Sequence, residues 1–193
     1  MKKYATALTI ALFFLSAVVA YADSPLAAVQ ADVNQILAVV TNKNLSSETK
    51  KEKLRGFYST MFDTDELSRQ TLGANWRKLD PTQQQQFIRL YGRLLERTYM
   101  DQILSYNNQK IIYGRQIMFS DTRAEVETKV NTDSGEVPID YKMILANGAW
   151  KVYDVVVANV SLVLNYRSQF QEILASKTPD QMLAELKIKV DQR

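Results

Sequence analysis

Cysteine and histidine are both missing from this chain of 193 residues. Without cysteine there can be no disulfide, no thiolate nucleophile and no cysteine-based zinc site. Without histidine the commonest general base and the commonest metal ligand are lost together. Whatever chemistry remains would fall to carboxylates, tyrosines and lysines, and neither a catalytic set, a metal site nor a cofactor is expected. An excess of positive charge is also lacking once the start of the chain is set aside. Lys2 and Lys3 precede an apolar run from Ala5 to Ala20, and Ala20-Tyr21-Ala22 reads as a cleavage signal. The run is too short to favour a membrane span. Residues 1–22 are therefore expected to be a Sec signal peptide and residues 23–193 a single exported, periplasmic domain, with no cysteine after the cleavage point to carry a lipid anchor. Removing the signal leaves 22 Lys and Arg against 21 Asp and Glu, or +1. A near-neutral chain argues against a nucleic-acid surface, whose affinity rests on neutralising phosphates.

What is present is a succession of well-punctuated elements, with no internal repeat and no low-complexity linker. Ser24-Pro25 caps and opens a helix with Leu26, Val29, Val33, Ile36, Leu37 and Val40 on one face. Ser46 or Ser47 starts a second. Asp63-Thr64-Asp65-Glu66 reads as a capping box for a short third helix that ends at Leu72-Gly73. Asp80-Pro81-Thr82-Gln83 opens the longest, striped by Phe87, Leu90, Tyr91, Leu94, Leu95, Tyr99 and Ile103 and stopped at Asn107-Asn108. From Lys110 the period falls to two. Ile111, Tyr113, Ile117 and Phe119 predict one strand, Ala124 to Val130 a second, and Val137 to Leu145 a third, with Asn147-Gly148 a hairpin signal.

The stretch from Trp150 to Phe170 is the most telling. It begins as a β-branched strand (Trp150, Val152, Val155, Val156, Val157) and becomes a helical stripe (Val160, Val163, Leu164, Phe170, Leu174) with almost no turn between. Asn159 is expected to be the helix N-cap. Asp154, the only charge in the apolar part, is expected to be a buried acceptor bonded to backbone or to a tyrosine. A last helix opens at Thr178-Pro179-Asp180-Gln181. The order predicts an α+β domain, a four-stranded antiparallel meander wrapped by about six helices. So much apolar surface fits a dense core, which periodicity alone favours, or elements arranged around an apolar cavity that an apolar occupant fills.

The residues Trp150, Tyr153-Asp154 and Val160-Ser161 resemble the W-x-x-Y-D-x-x-x-x-x-V-S signature of the MlaC, or toluene-tolerance, family of periplasmic phospholipid-binding proteins of the Mla pathway. Leu72-Gly73, Trp76, Pro81, Gln83, Phe87, Tyr91, Leu95 and Tyr99 are similar to the long-helix region of the same family. The resemblance spans nearly the whole mature chain. One departure is that Ala158-Asn159 stand where the family often has Glu-Gly.

The resemblance implies a shuttle that carries phospholipid between outer and inner membranes, and a shuttle is most simply a monomer. Its implied partners are an outer-membrane lipoprotein–porin complex and the MCE-type subunit of an inner-membrane ATP-driven transporter. It also implies that the fold encloses an apolar lipid pocket. Candidates to line it are Ile139, Tyr141, Met143, Val152, Val155 and Val157 on the sheet and Tyr91, Leu95, Tyr99, Val160 and Val163 on helices, with Tyr166 and Arg167 at the mouth. Ordinary core is the competing reading for each apolar position. The rival class is an enzyme of NTF2-like architecture using Asp154 with Tyr153 or Tyr141. A third reading is a purely structural periplasmic adaptor with a dry core.

Overall fold

Helix starts in this protein are set by side-chain caps, and the computed structural model, which describes residues 24–192, places all but that of the fifth helix where the sequence points. Ser24 caps α1 (Pro25–Val40) and Ser46 caps α2 (Ser47–Met61). Asp63 caps α3 (Thr64–Leu72), accepting the Glu66 amide at 2.8 Å. The expected reciprocal half of that box is missing, because the Glu66 carboxylate is turned to Arg69, Gln70 and Arg123 while the Asp63 amide donates to the Val152 carbonyl at 2.9 Å. A 3-10 turn, Gly73–Lys78, follows. The capping box of α4 (Pro81–Leu104) is complete, with Asp80 and Gln83 exchanging bonds of 2.9 and 3.0 Å.

The sheet has five strands rather than four, in the order β1 (Ile111–Ser120), β2 (Arg123–Thr132), β3 (Gly135–Ala146), β4 (Ala149–Val157) and β5 (Val160–Ser161), every neighbour antiparallel. The extra strand arises because Ala158 and Asn159, at φ 49° and 67°, make a two-residue hairpin turn where a helix cap was expected. Asn tolerates the left-handed region better than most residues, and a turn with two positive φ values matches the twist of flanking strands. Ser161, not Asn159, is the N-cap of α5 (Leu162–Ser176), and α6 (Pro179–Asp191) closes the chain.

Three register irregularities, two in β1 (the second leaving Phe119 unpaired between Met118 and Ser120) and one in β4, set which side chains share a face. An irregularity between Tyr113 and Gln116 in β1 reverses the phase of the strand's second half. Gln116 and Met118 therefore lie opposite Val126 and Ala124, while Phe119, expected on the apolar face, is 61% exposed. In β4 the extra residue is Tyr153, so Val152 pairs with Met143 and Val155 with Tyr141. Residues an odd number apart thus share one face.

The apolar interior is divided into three clusters. Helices α3 to α6 enclose the largest, around Phe87, Tyr91, Phe170 and Leu183. A second joins α1 to the sheet through Val29, Val33, Val126, Met143 and Val152. The third gathers Val39, Val40, Leu54 and Met100 where α1, α2 and α4 meet. Phe62 packs against the first two, and Ile36 and Leu37 against the last two. The proposed signal peptide lies outside the described residues.

Candidate functional site

Antiparallel register places side chains in rows across one sheet face. In the innermost row Ala124, Met143 and Val152 have no exposure, while Met118 at its β1 end is 47% exposed. The next is Val126, Tyr141 and Val155, of which Tyr141 and Val155 are only half-covered. The third is Tyr113, Thr128, Ile139, Val157 and Val160, where Val157 is 44% and Val160 58% exposed. Cover on this face is thus deepest at Ala124, Val126, Met143 and Val152, and along β4 it thins from Val152 through Val155 to Val157 at the β4–β5 hairpin.

Tyr58, Tyr99, Tyr113 and Tyr141 all keep some access to solvent. Burial nevertheless pushes the phenols of Tyr58, Tyr113 and Tyr141 above their ordinary values. It raises Tyr99 to about 12, with a smaller contribution from Tyr166. Tyr58 and Tyr99 pack against the helical cluster and Tyr113 and Tyr141 against the sheet cluster, so each layer presents half-covered phenols.

The remaining candidates fall elsewhere along this gradient. Tyr91, Leu95, Val163 and Tyr166 are buried within the helical cluster, where Tyr91 and Tyr166 meet edge-to-face at 5.4 Å. Arg167 is half-covered and donates from Nε to the Gln70 carbonyl at 2.9 Å, at the C-terminal end of α3. Two hollows lie away from the layer joint. One of about 320 Å³ sits against Arg69, Gly73, Trp76 and Arg77, and one of about 120 Å³ lies among α4, α5 and α6. Drug-sized ligands already fill roughly 300–1,000 Å³, and a lipid with two acyl chains is larger. The enclosed lipid-sized pocket expected from the resemblance is therefore not what either hollow provides.

The signature residues have structural duties. Trp150 packs on the sheet cluster. Tyr153 lies under the Arg123 guanidinium, 4.9 Å from ring centroid to charge, and Arg123 in turn binds Glu66 at 2.8 Å, fastening β2 to α3. Asp154 accepts the Ser161 hydroxyl at 2.6 Å and the Val163 amide at 3.0 Å, with Lys142 at 3.7 Å. Ser161 itself accepts the Leu164 amide at 3.0 Å. The first turn of α5 is therefore satisfied by two cooperating side chains, seven residues apart in sequence. No tyrosine bonds to Asp154 among the described residues, so that part of the expectation is corrected. The Glu66 cluster was missed by sequence reasoning, since Glu66 was assigned to a cap. The bulge that admits Tyr153 left no sequence signal.

No cluster of Asp and Glu suited to a metal occurs among the described residues, and no described helix is long and apolar enough to cross a membrane. The architecture defines a class: small α+β proteins in which helices pack over one apolar face of an antiparallel meander. Within that class the chain belongs to the MlaC family, whose model matches residues 30–188. It is 28% identical over 162 residues to the toluene tolerance protein Ttg2D of Pseudomonas putida, covering 79% of this chain and 74% of that protein. To the intermembrane phospholipid transport system binding protein MlaC of Haemophilus influenzae it is 25% identical over 120 residues, 60% of this chain and 56% of that protein. Its fold matches that of the phospholipid-binding protein from Ralstonia solanacearum, solved in complex with a phospholipid. The TM-score is 0.77 at 24% identity, over 87% of this chain and 99% of that one.

Proposed function

We propose that this protein is a periplasmic phospholipid carrier, moving lipid between outer and inner membranes, with acyl chains held along the joint between helical and sheet layers. The observation that carries the reading is the sheet face whose cover thins along β4 from Val152, paired with Met143, to Val157 and Val160 at the β4–β5 hairpin. Membership of the MlaC family supports it. Each buried CH₂ contributes about 0.8 kcal/mol, so two chains outweigh any headgroup contact, and selectivity follows tails rather than headgroups. The layers part to admit the cargo: Ile36, Leu37 and Phe62, which bridge neighbouring clusters, are the side chains that must exchange partners. Tyr141, Val155, Ile139 and Val157 then line the lipid from the sheet and Tyr99 from the helices, with Val160 at the rim. Met143, Val152, Tyr91, Leu95, Val163 and Tyr166 form the floor against which the tails end.

The carrier performs no reaction of its own, and Asp154 serves as a helix-capping acceptor rather than as a base. Loading and release take place at an outer-membrane lipoprotein–porin complex and at an MCE-type subunit of an inner-membrane transporter, reached by a monomer. Native mass spectrometry of mature protein purified from a bacterial periplasm tests the core of this reading. A stoichiometric phospholipid mass that disappears on organic extraction is expected. A protein that stays free of lipid even after incubation with phospholipid vesicles would overturn it.

A further inference from the structure

Helix α3 ends in a turn that only glycine accommodates well. Gly73 lies at φ 56°, and a Cβ there would come within 3.4 Å of Arg167 Nε. The chain then enters the 3-10 turn that carries Trp76 and Arg77. Arg167 reaches in from α5 and spends two N–H groups on the Gln70 carbonyl. Above this floor lies the cleft of about 320 Å³ bounded by Arg69, Gln70, Gly73, Ala74, Trp76 and Arg77.

The charge around the cleft is lopsided. The Glu66 carboxylate is shared by Arg69 and Arg123, so one anion serves two guanidiniums. Arg77 and Arg167 make no ion pair among the described residues. Arg77 makes no side-chain hydrogen bond there either, so its whole donor fork is available. Guanidinium forks match tetrahedral oxyanions, each offering paired N–H groups to two oxygens. Trp76 supplies a flat apolar wall beside them, which suits an anion attached to a small carbon frame.

We propose that the cleft between α3 and the 3-10 turn binds a phosphate group, with Arg77 as its donor, Arg69 (held by Glu66) and Arg167 (packed on Gly73) as fixed positive charge beside it, and Trp76 as its wall. The cleft lies away from the layer joint, and the inference stands independently of whether acyl chains occupy that joint. The same phosphate chemistry could arrive on a soluble phosphate monoester or on the headgroup of a bound lipid.

The test is an NMR titration of ¹⁵N-labelled mature protein, freed of lipid, with inorganic phosphate and with glycerol 3-phosphate, at ionic strength held constant by chloride. Saturable shifts of the Gly73, Ala74 and Arg77 amides and the Trp76 indole are expected. Arg77→Gln, an exposed change that breaks no contact, should weaken the affinity roughly fivefold or more. Repeating the titration on protein loaded with phosphatidylglycerol separates the sources. Undiminished phosphate binding assigns the site to a soluble ligand, and loss of binding with the same amides already shifted assigns it to the lipid headgroup. Shifts that never saturate, or that Arg77→Gln leaves unchanged, would overturn the proposal.

Discussion

Asp154 and Ser161 act as one unit, and the energetics of helix α5 should show it. Asp154 holds both the cap hydroxyl and the Val163 amide in a buried position. Asp154→Ala leaves those donors without an acceptor and should cost about 2–3 kcal/mol, and Ser161→Ala about 1–2 kcal/mol. Urea denaturation of the double variant should show clearly less than the sum. Glu66 gives a second residue-scale prediction. Burial disfavours its charged form, but bonds from Arg123, Gln70 and Arg69 outweigh this and hold its carboxyl below the usual range. A carboxylate depressed in the folded state contributes stability above its unfolded value, near 4.3. It loses that contribution as pH falls through the folded value. The wild-type protein should therefore lose stability from about pH 4.3 downward, and Glu66→Gln should flatten that slope. Equal slopes in urea midpoints measured across this range would remove Glu66 from the account.

At the scale of elements, the β4–β5 hairpin turn carries an avoidable strain. Ala158 occupies φ 49°, a region in which a Cβ crowds the following carbonyl. Ala158→Gly should raise stability by up to about 1 kcal/mol, net of glycine's greater freedom when unfolded, read as a higher urea midpoint. The family's frequent glycine falls on the neighbouring position, where Asn159 sits at φ 67°. Elements were legible wherever a local rule specifies them: Ser24-Pro25, Asp80-Pro81 with Gln83, and Thr178-Pro179 with Gln181 each start a helix as read. Strand phase was less legible, because a bulge is decided by partners distant in sequence. Phe119 and Ile117 fit an alternating strand, yet the register sets exposed Gln116 on the α1 side, where it accepts the Leu26 amide of α1 at 3.0 Å. Asn159 was misread for a related reason, since a polar residue between strand and helix suits either a cap or a turn. Site residues were legible as apolar positions only. Whether a valine is floor or rim depends on which helix covers its row.

For the molecule as a whole, three separate clusters in place of one core give it boundaries along which it can part. Filling such a boundary should interfere with cargo more than with folding. Val155→Trp places a large ring in the half-covered second row, beside Tyr141. It is expected to lower the phospholipid carried per protein in extraction assays while leaving the far-ultraviolet circular dichroism in place. Retention of full loading would mean the tails lie elsewhere. The division into layers also has an optical consequence. The chain has only two tryptophans, and they are distributed one to a layer, Trp76 against the helical cluster and Trp150 against the sheet cluster. Each layer therefore carries its own intrinsic chromophore. With one tryptophan replaced by phenylalanine at a time, the emission of the other reports the wetting of its own layer, so the order in which the two sides of the molecule release each other could be timed without attaching a label.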